Sequence, residues 1–238
     1  MIPRKIHYCW FGGGEMPQLA KDCIASWHKY MPDWEYKLWN EENFDVNIIP
    51  YSSEAYKAGK YAFVSDIARL WAVEKEGGVY FDVDFEVYKS FEPLLNYKAF
   101  AGFEGCKRKL LMMGVFGSEA HGEWVKEIWH MYDDRHFLMP DGSCDLTTNV
   151  LAATQCMARS GFQQNWQEQD YKDLHVFPTD YFSPKHTTGE YFRTENTYCE
   201  HKGVSSWANQ QGGKKRLARI IGSKNMTRLI KLKRKLFG

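Results

Sequence analysis

Asp66, Arg69, Asp82 and Asp84 are the residues whose types and spacing could do chemistry. Asp66 and Arg69 stand three apart, so on a helix they share a face. Asp82 and Asp84 stand two apart, so at a strand end they project to the same side. Two carboxylates so placed can share Mg2+ or Mn2+, hard cations that take oxygen ligands and keep positions for water or phosphate. Such an ion neutralises a diphosphate and helps it leave. A guanidinium fork suits paired hydroxyls or phosphate oxygens. An Asp-x-Asp also fits a solvated turn, and Asp66 with Arg69 also fits an ion pair on a helix surface.

The run 63–85 must position all four. Phe63, Val64, Ile67, Leu70, Trp71 and Val73 recur at helical spacing. Gly77 and Gly78 stop that helix. Val79, Tyr80 and Phe81 are branched or aromatic and predict a buried strand that ends at the aspartates. Upstream, 5–11 predicts a strand that runs into Gly12, Gly13 and Gly14, where a ligand can approach the backbone. Residues 17–30 predict a helix with Pro17 at its start, and 35–39 a second strand. The alternation of strand and helix predicts an α/β layer with mostly parallel strands.

Taken together, Ser65 to Arg69, Gly77 to Asp84 and Ile2 to Gly12 resemble the DXD-motif sugar transferases. These are glycosyltransferase family 32-like enzymes, shared by bacterial capsular and lipopolysaccharide glycosyltransferases and yeast initiating mannosyltransferase-like enzymes, and related to the clostridial glucosylating toxins. The resemblance is strong over residues 1 to about 105 and thinner up to Trp207. It implies a GT-A-like (Rossmann-like) mixed, mostly parallel sheet flanked by helices. It implies a retaining, metal-dependent enzyme that uses a nucleotide-sugar: UDP-galactose or UDP-glucose first, GDP-mannose second. Asp84 would hold Mn2+ (or Mg2+) directly, and Asp82 would bind ribose or the ion through water. Asp66 and Arg69 would bind the transferred sugar, Trp10 the base, and Tyr80 would neighbour the diphosphate. His201 would reach the metal or diphosphate, and Ser205 and Trp207 would close over the donor. The family has a Thr-Gly-Pro-like segment on the acceptor side, where this chain has Thr147, Thr148 and Asn149. The acceptor implied is a growing surface glycan (capsule, exopolysaccharide or lipopolysaccharide) on a lipid carrier.

Net charge is +1 over 238 residues, yet 214–238 holds ten Lys/Arg and no acid. Leu217, Ile220, Ile221, Leu229, Ile230, Leu232, Leu236 and Phe237 could form one apolar face within that tail. This predicts a glycosyltransferase domain over 1–212 and a basic amphipathic helical tail over 213–238 on anionic lipid. No nucleic-acid reading module accompanies the charge, so nucleic acid is not an expected partner. Six cysteines without Cys-x-x-Cys spacing, and no secretory or membrane-spanning run, predict reduced thiols. The expected place is cytoplasmic, peripheral on the inner face of the cell membrane. Two rivals stay open: a metal-dependent phosphohydrolase, which would need a second His/Asp cluster, and a non-catalytic membrane-bound module that binds nucleotide-sugar or carbohydrate.

Overall fold

The computed structural model describes residues 1–105, 109–184 and 192–203. The chain runs β1 (Lys5–Cys9), α1 (Gln18–Tyr30), β2 (Glu35–Trp39), α2 (Pro50–Lys57), α3 (Tyr61–Glu76), β3 (Gly78–Phe81) and β4 (Phe85–Val87). After a 3-10 turn at Glu92–Asn96 come β5 (Ala99–Gly102), β6 (Val115–Ser118), α4 (Glu123–His130) and α5 (Asn149–Arg159). Then follow β7 (Gln169–Tyr171), β8 (Leu174–Phe177), α6 (Thr179–Phe182) and β9 (Cys199–His201).

Seven strands form one sheet in the order β2-β1-β3-β6-β5-β8-β7. Strands β1, β2 and β3 run parallel, as do β5 and β8, while β6 and β7 run against their neighbours. Five strands therefore share a direction, and the expected mixed, mostly parallel α/β sheet is present. Each parallel crossover places a helix over the sheet, because parallel neighbours need a long connection. From β1 the chain goes to β2 on one side and to β3 on the other. In open α/β sheets such a reversal is where the ligand crevice lies, which here is at the C-terminal ends of β1 and β3.

Strand alternation divides the core between two faces. Tyr80, Cys9, Trp39 and Phe116 pack beneath α2, α3, α4 and α5. Val79, Phe81, Ile6 and Val115 pack on the other face with α1, β4, β9 and α6. Helix α3 lies inside the first layer, and nine of its residues are buried, including Asp66, Arg69 and Glu74. Gly77 ends it at φ 64, a left-handed conformation that favours glycine.

Several expectations shift. Residues 110–116 predict a strand, but it begins only at Val115, and Pro17 is the N-cap of α1 rather than its first residue. For the helix that the sequence predicts up to about Ser160, Asp145 and Thr147 are the candidate caps; Thr148 caps it instead, its side chain accepting from Leu151 N. The stretch 162–173 is polar and reads as loop, yet it contains β7; Tyr181 and Phe182, which the resemblance places in a late strand, lie in α6. Cys199–His201 does not rejoin the main sheet; it pairs with β4 in a separate two-stranded sheet. Cys9, Cys23, Cys144, Cys156 and Cys199 are free thiols. Among the described residues no helix is long and apolar enough to cross a membrane. The tail, its boundary at 212/213 and Cys106 lie outside the described residues.

His7 ties the first three strands together. Its Nδ1 accepts from the Trp39 indole at 3.0 Å, and its Nε2 donates to Gly77 O at 2.8 Å. That pattern requires the neutral ring, and burial lowers the His7 pKa to about 4 despite the Gly77 bond. With an ordinary value of 6.5 in the unfolded chain, the stabilisation is whole above that pH and is lost as pH falls toward 4. The advantage of the wild type over His7→Gln in unfolding free energy should therefore shrink by about 3 kcal/mol between pH 7 and pH 4. Denaturant melts would read this, and a gap that stays constant with pH would contradict a neutral buried ring.

Candidate active site

The carboxylates do not lie along one strand. Strand β3 ends at Phe81, and Asp82, Val83 and Asp84 make a turn closed by Phe85 N to Asp82 O at 3.2 Å. The expectation that both aspartates project to one side by strand alternation is corrected here. Asp82 keeps the phase of Tyr80 and meets α3, whereas the turn sends Asp84 to β9.

Arg69 stands at the centre of the α3 side. Its Nη1 donates to Met113 O at 2.7 Å and to Asp82 Oδ2 at 3.3 Å. Its Nη2 lies 2.9 Å from Asp66 Oδ1 and 3.2 Å from Asp82 Oδ1. Its Nε donates to Ser65 O at 3.2 Å, and the Tyr80 ring lies 4.6 Å from its Cζ. Every nitrogen of the guanidinium thus meets a protein oxygen, and the side chain is only 7% exposed. Tyr80 Oη also donates to Asp82 Oδ1 at 2.7 Å. Asp66 is buried, whereas the Asp82 side chain is 33% exposed. Burial lifts the Asp66 carboxyl to about 6 against the pull of Arg69. Burial also raises Asp82; Arg69 opposes the rise and the Asp84 charge adds to it.

On the other side, Asp84 Oδ2 meets His201 Nε2 at 3.0 Å. The register Phe85↔His201 puts that ring against Phe85, with centroids 4.9 Å apart. Helix α1 steadies β4, since the Trp27 indole donates to Phe85 O at 2.7 Å and Ser26 Oγ accepts from Val87 N at 2.9 Å. Burial lowers the His201 pKa, but the Asp84 hydrogen bond and charge, with Asp82 and Glu104, outweigh it and the net shift is upward.

A divalent cation fits this donor set. Asp82 and Asp84 are close enough for one charge to disfavour the other, and a cation relieves that repulsion. Among the described residues no three His, Cys, Asp or Glu side chains form a preassembled metal cage. The site therefore brings together Asp66, Arg69 and Asp82 in one group and Asp84 with His201 in another.

Trp10 lies past the end of β1, half-buried, with its indole donating to Gly14 O at 2.5 Å. Gly12 and Gly13 take φ values of 93 and 65, so the glycine loop turns sharply beside the crevice. Ser205 and Trp207 lie outside the described residues. Two contributors carry no side-chain signature. Met113 supplies a carbonyl, and Gly114 accepts from Asp82 N at 2.7 Å through its own carbonyl.

Residues 17–101 match the family described as "Glycosyltransferase sugar-binding region containing DXD motif". The chain is similar to inositol phosphoceramide mannosyltransferase 3 of Schizosaccharomyces pombe, 31% identical over 102 residues, 41% of this chain and 28% of that protein. It is also similar to inositol phosphoceramide mannosyltransferase 1 of the same organism, 29% identical over 110 residues, 42% of this chain and 33% of that protein. The chain thus spans about a third or less of these curated relatives. Among solved structures it resembles the PaToxG glycosyltransferase at TM-score 0.51 and 16% identity, over 67% of this chain and 69% of that one. That likeness is one of fold, the GT-A arrangement. The matched region includes the run from Asp66 to Asp84 that resembles DXD-motif sugar transferases.

An alanine Cβ at position 114 would stand 2.8 Å from Asp82 Oδ2 and 2.7 Å from the Phe85 ring. Gly114→Ala should therefore cost about 1–3 kcal/mol of stability and weaken nucleoside diphosphate binding in the presence of Mn2+. Calorimetric titration would measure this, and unchanged binding would remove Asp82 from the site.

Proposed function

We propose that this chain is a metal-dependent glycosyltransferase that takes a hexose from a nucleotide-sugar and passes it to a glycan. One observation carries the reading. The Asp66–Arg69–Asp82 group and the Asp84–His201 pair lie on either side of the turn at 82–84 beyond β3, and the three aspartates with Arg69 fall within the region matched to DXD sugar transferases.

Asp84 and His201 would hold Mn2+ or Mg2+, with Asp82 joining directly or through water. When bound, the cation supplies positive charge for the leaving diphosphate. Asp66 would accept hydrogen bonds from hydroxyls of the transferred sugar. Arg69, expected to touch the sugar, is enclosed by protein oxygens. Its part is then to hold Asp66 and Asp82 in place and keep them anionic. Trp10 would face the base, and Tyr80 would fix Asp82 beside the diphosphate.

We favour retention by front-face attack. The bond from C1 to the phosphate oxygen breaks while the acceptor oxygen bonds C1 on the same face. The acceptor proton passes to the departing phosphate oxygen. Asp66, paired with Arg69, suits binding of hydroxyls better than nucleophilic attack. Charge stabilisation on the leaving group is then the main lever. The donor proposed first is UDP-galactose or UDP-glucose and second GDP-mannose; the names of the yeast relatives, mannosyltransferases, support mannose as the sugar of the second. The acceptor proposed is a lipid-carried glycan at the inner membrane face, with 213–238 resting on anionic lipid; the ten basic residues of 214–238 support this.

Purified protein with Mn2+ and a panel of UDP- and GDP-sugars should release nucleoside diphosphate from one donor. Asp84→Asn should abolish metal-stimulated release while the thermal melt stays within a few degrees of wild type. Binding without turnover, with acceptors supplied, would point instead to a non-catalytic module. Phosphate release from simple esters without use of a nucleotide-sugar would point to a phosphohydrolase. Removing 214–238 should release the protein from phosphatidylserine vesicles in a sedimentation assay, and undiminished vesicle binding would refute the lipid contact.

A further inference from the structure

Strands β4 and β9 bring two acids face to face. Glu86 and Glu200 are direct partners in that antiparallel pair. Like charges directly opposite each other push strands apart, and a lone two-stranded sheet is marginal in water. Glu200 is only 1% exposed, so water does little to screen it.

Three side chains compensate. Arg193 donates from Nε to Glu200 Oε2 at 2.8 Å, pairs with the same carboxylate through Nη2, and donates from Nη2 to Tyr88 Oη at 2.6 Å. Lys202 Nζ lies 2.7 Å from Glu86 Oε2 and 3.7 Å from Glu200 Oε1. Tyr88 Oη sits between the acids, 2.8 Å from Glu86 Oε2 and 3.0 Å from Glu200 Oε2. Its ring lies 4.2 Å from Arg193 Cζ. The neighbouring segment is itself tied to α6. Thr194 Oγ1 donates to Asp180 Oδ2 at 2.8 Å and Thr197 Oγ1 to Asp180 O at 2.7 Å. The residue beside Glu200 is His201, and beyond it Lys202 N donates to Asp84 O at 2.8 Å.

We infer that Arg193, bound to the buried Glu200, is a positioning residue that holds β9 against β4 and so keeps His201 at Asp84 for cation binding. The inference rests on the cation site proposed above. Glu200 and Arg193 face away from that site, so they act on it only through the backbone of β9. Partners that orient ligands without touching the ion typically change metal affinity by about 10- to 100-fold.

The test measures Mn2+ affinity of the full chain by electron paramagnetic resonance, with UDP and in parallel with GDP, and records a melting temperature for each variant. Arg193→Gln should weaken Mn2+ binding about tenfold or more. His201→Ala should weaken it comparably. The double variant should be no weaker than His201→Ala alone, because both act through one ligand. Adding Glu200→Gln to Arg193→Gln should restore much of the affinity by removing the opposed charges. Should Arg193→Gln fail to fold, Arg193→Lys, which keeps the charge and loses the fork, should show an intermediate loss. Unchanged Mn2+ affinity in Arg193→Gln, or an equal loss in the His201→Ala background, would overturn this inference and leave the cation site standing. Equal Mn2+ binding by wild type and Asp84→Asn would overturn the site itself, and this inference with it.

Discussion

The buried guanidinium of Arg69 is the interaction on which the rest of the site depends. It reaches from α3 to the end of β3 and to the carbonyl of Met113, just before β6. Besides Ser65 O on its own helix, the guanidinium satisfies two acids and a carbonyl at once. Asp66 lies on its own helix, Asp82 follows the strand, and the carbonyl comes from the neighbouring strand's approach. Taking one of the two acids away would leave the buried charge under-compensated, a larger penalty than the loss of a surface pair. Packing thus serves placement. Tyr80 covers the guanidinium face and binds Asp82, so one aromatic residue in the core also fixes a carboxylate at the rim.

The division of the sheet into two faces explains the order of events along the chain. Alternation along β3 gives Tyr80 to the α3 layer and Val79 with Phe81 to the α1 layer. The turn at Asp82 then sends the chain across to β4, where α1 holds it through Trp27 and Ser26. Residues from both faces converge at this turn, where the strand ends and side-chain direction is no longer set by the pleat.

Much of this was legible in the residues. The apolar period of α3, the glycine stop at Gly77 and the short hydrophobic strand all follow from local rules, and the structure follows them closely. Asp66 and Arg69 share a face because three residues make most of a helical turn. His201 near Asp84 came from a resemblance, since a lone histidine far along the chain has no local rule that brings it back. Other parts were hidden for physical reasons. Strand β7 is three residues long and carries Gln169 and Asp170, so edge pairing rather than apolar pattern makes it a strand. Helix α6 holds Tyr181 and Phe182, which the resemblance places in a strand; Phe182 is buried against Phe91 and Phe100, distant in sequence. The Met113 carbonyl is invisible to any reading of side-chain types, and the opposed pair Glu86 and Glu200 becomes apparent only once the register is known.

The crossing at 82–84 has a wider meaning for how this chain can change. One aspartate answers to the packing beneath α3 and the other to the packing beside α1. Readjustments in either half of the interior therefore bear on the separation of the two acids. Substitutions far from the crevice, harmless by volume alone, would be felt first as a retuning of what the two carboxylates can jointly grasp. The interior of this protein is in that sense an adjustable frame around a pair of oxygens.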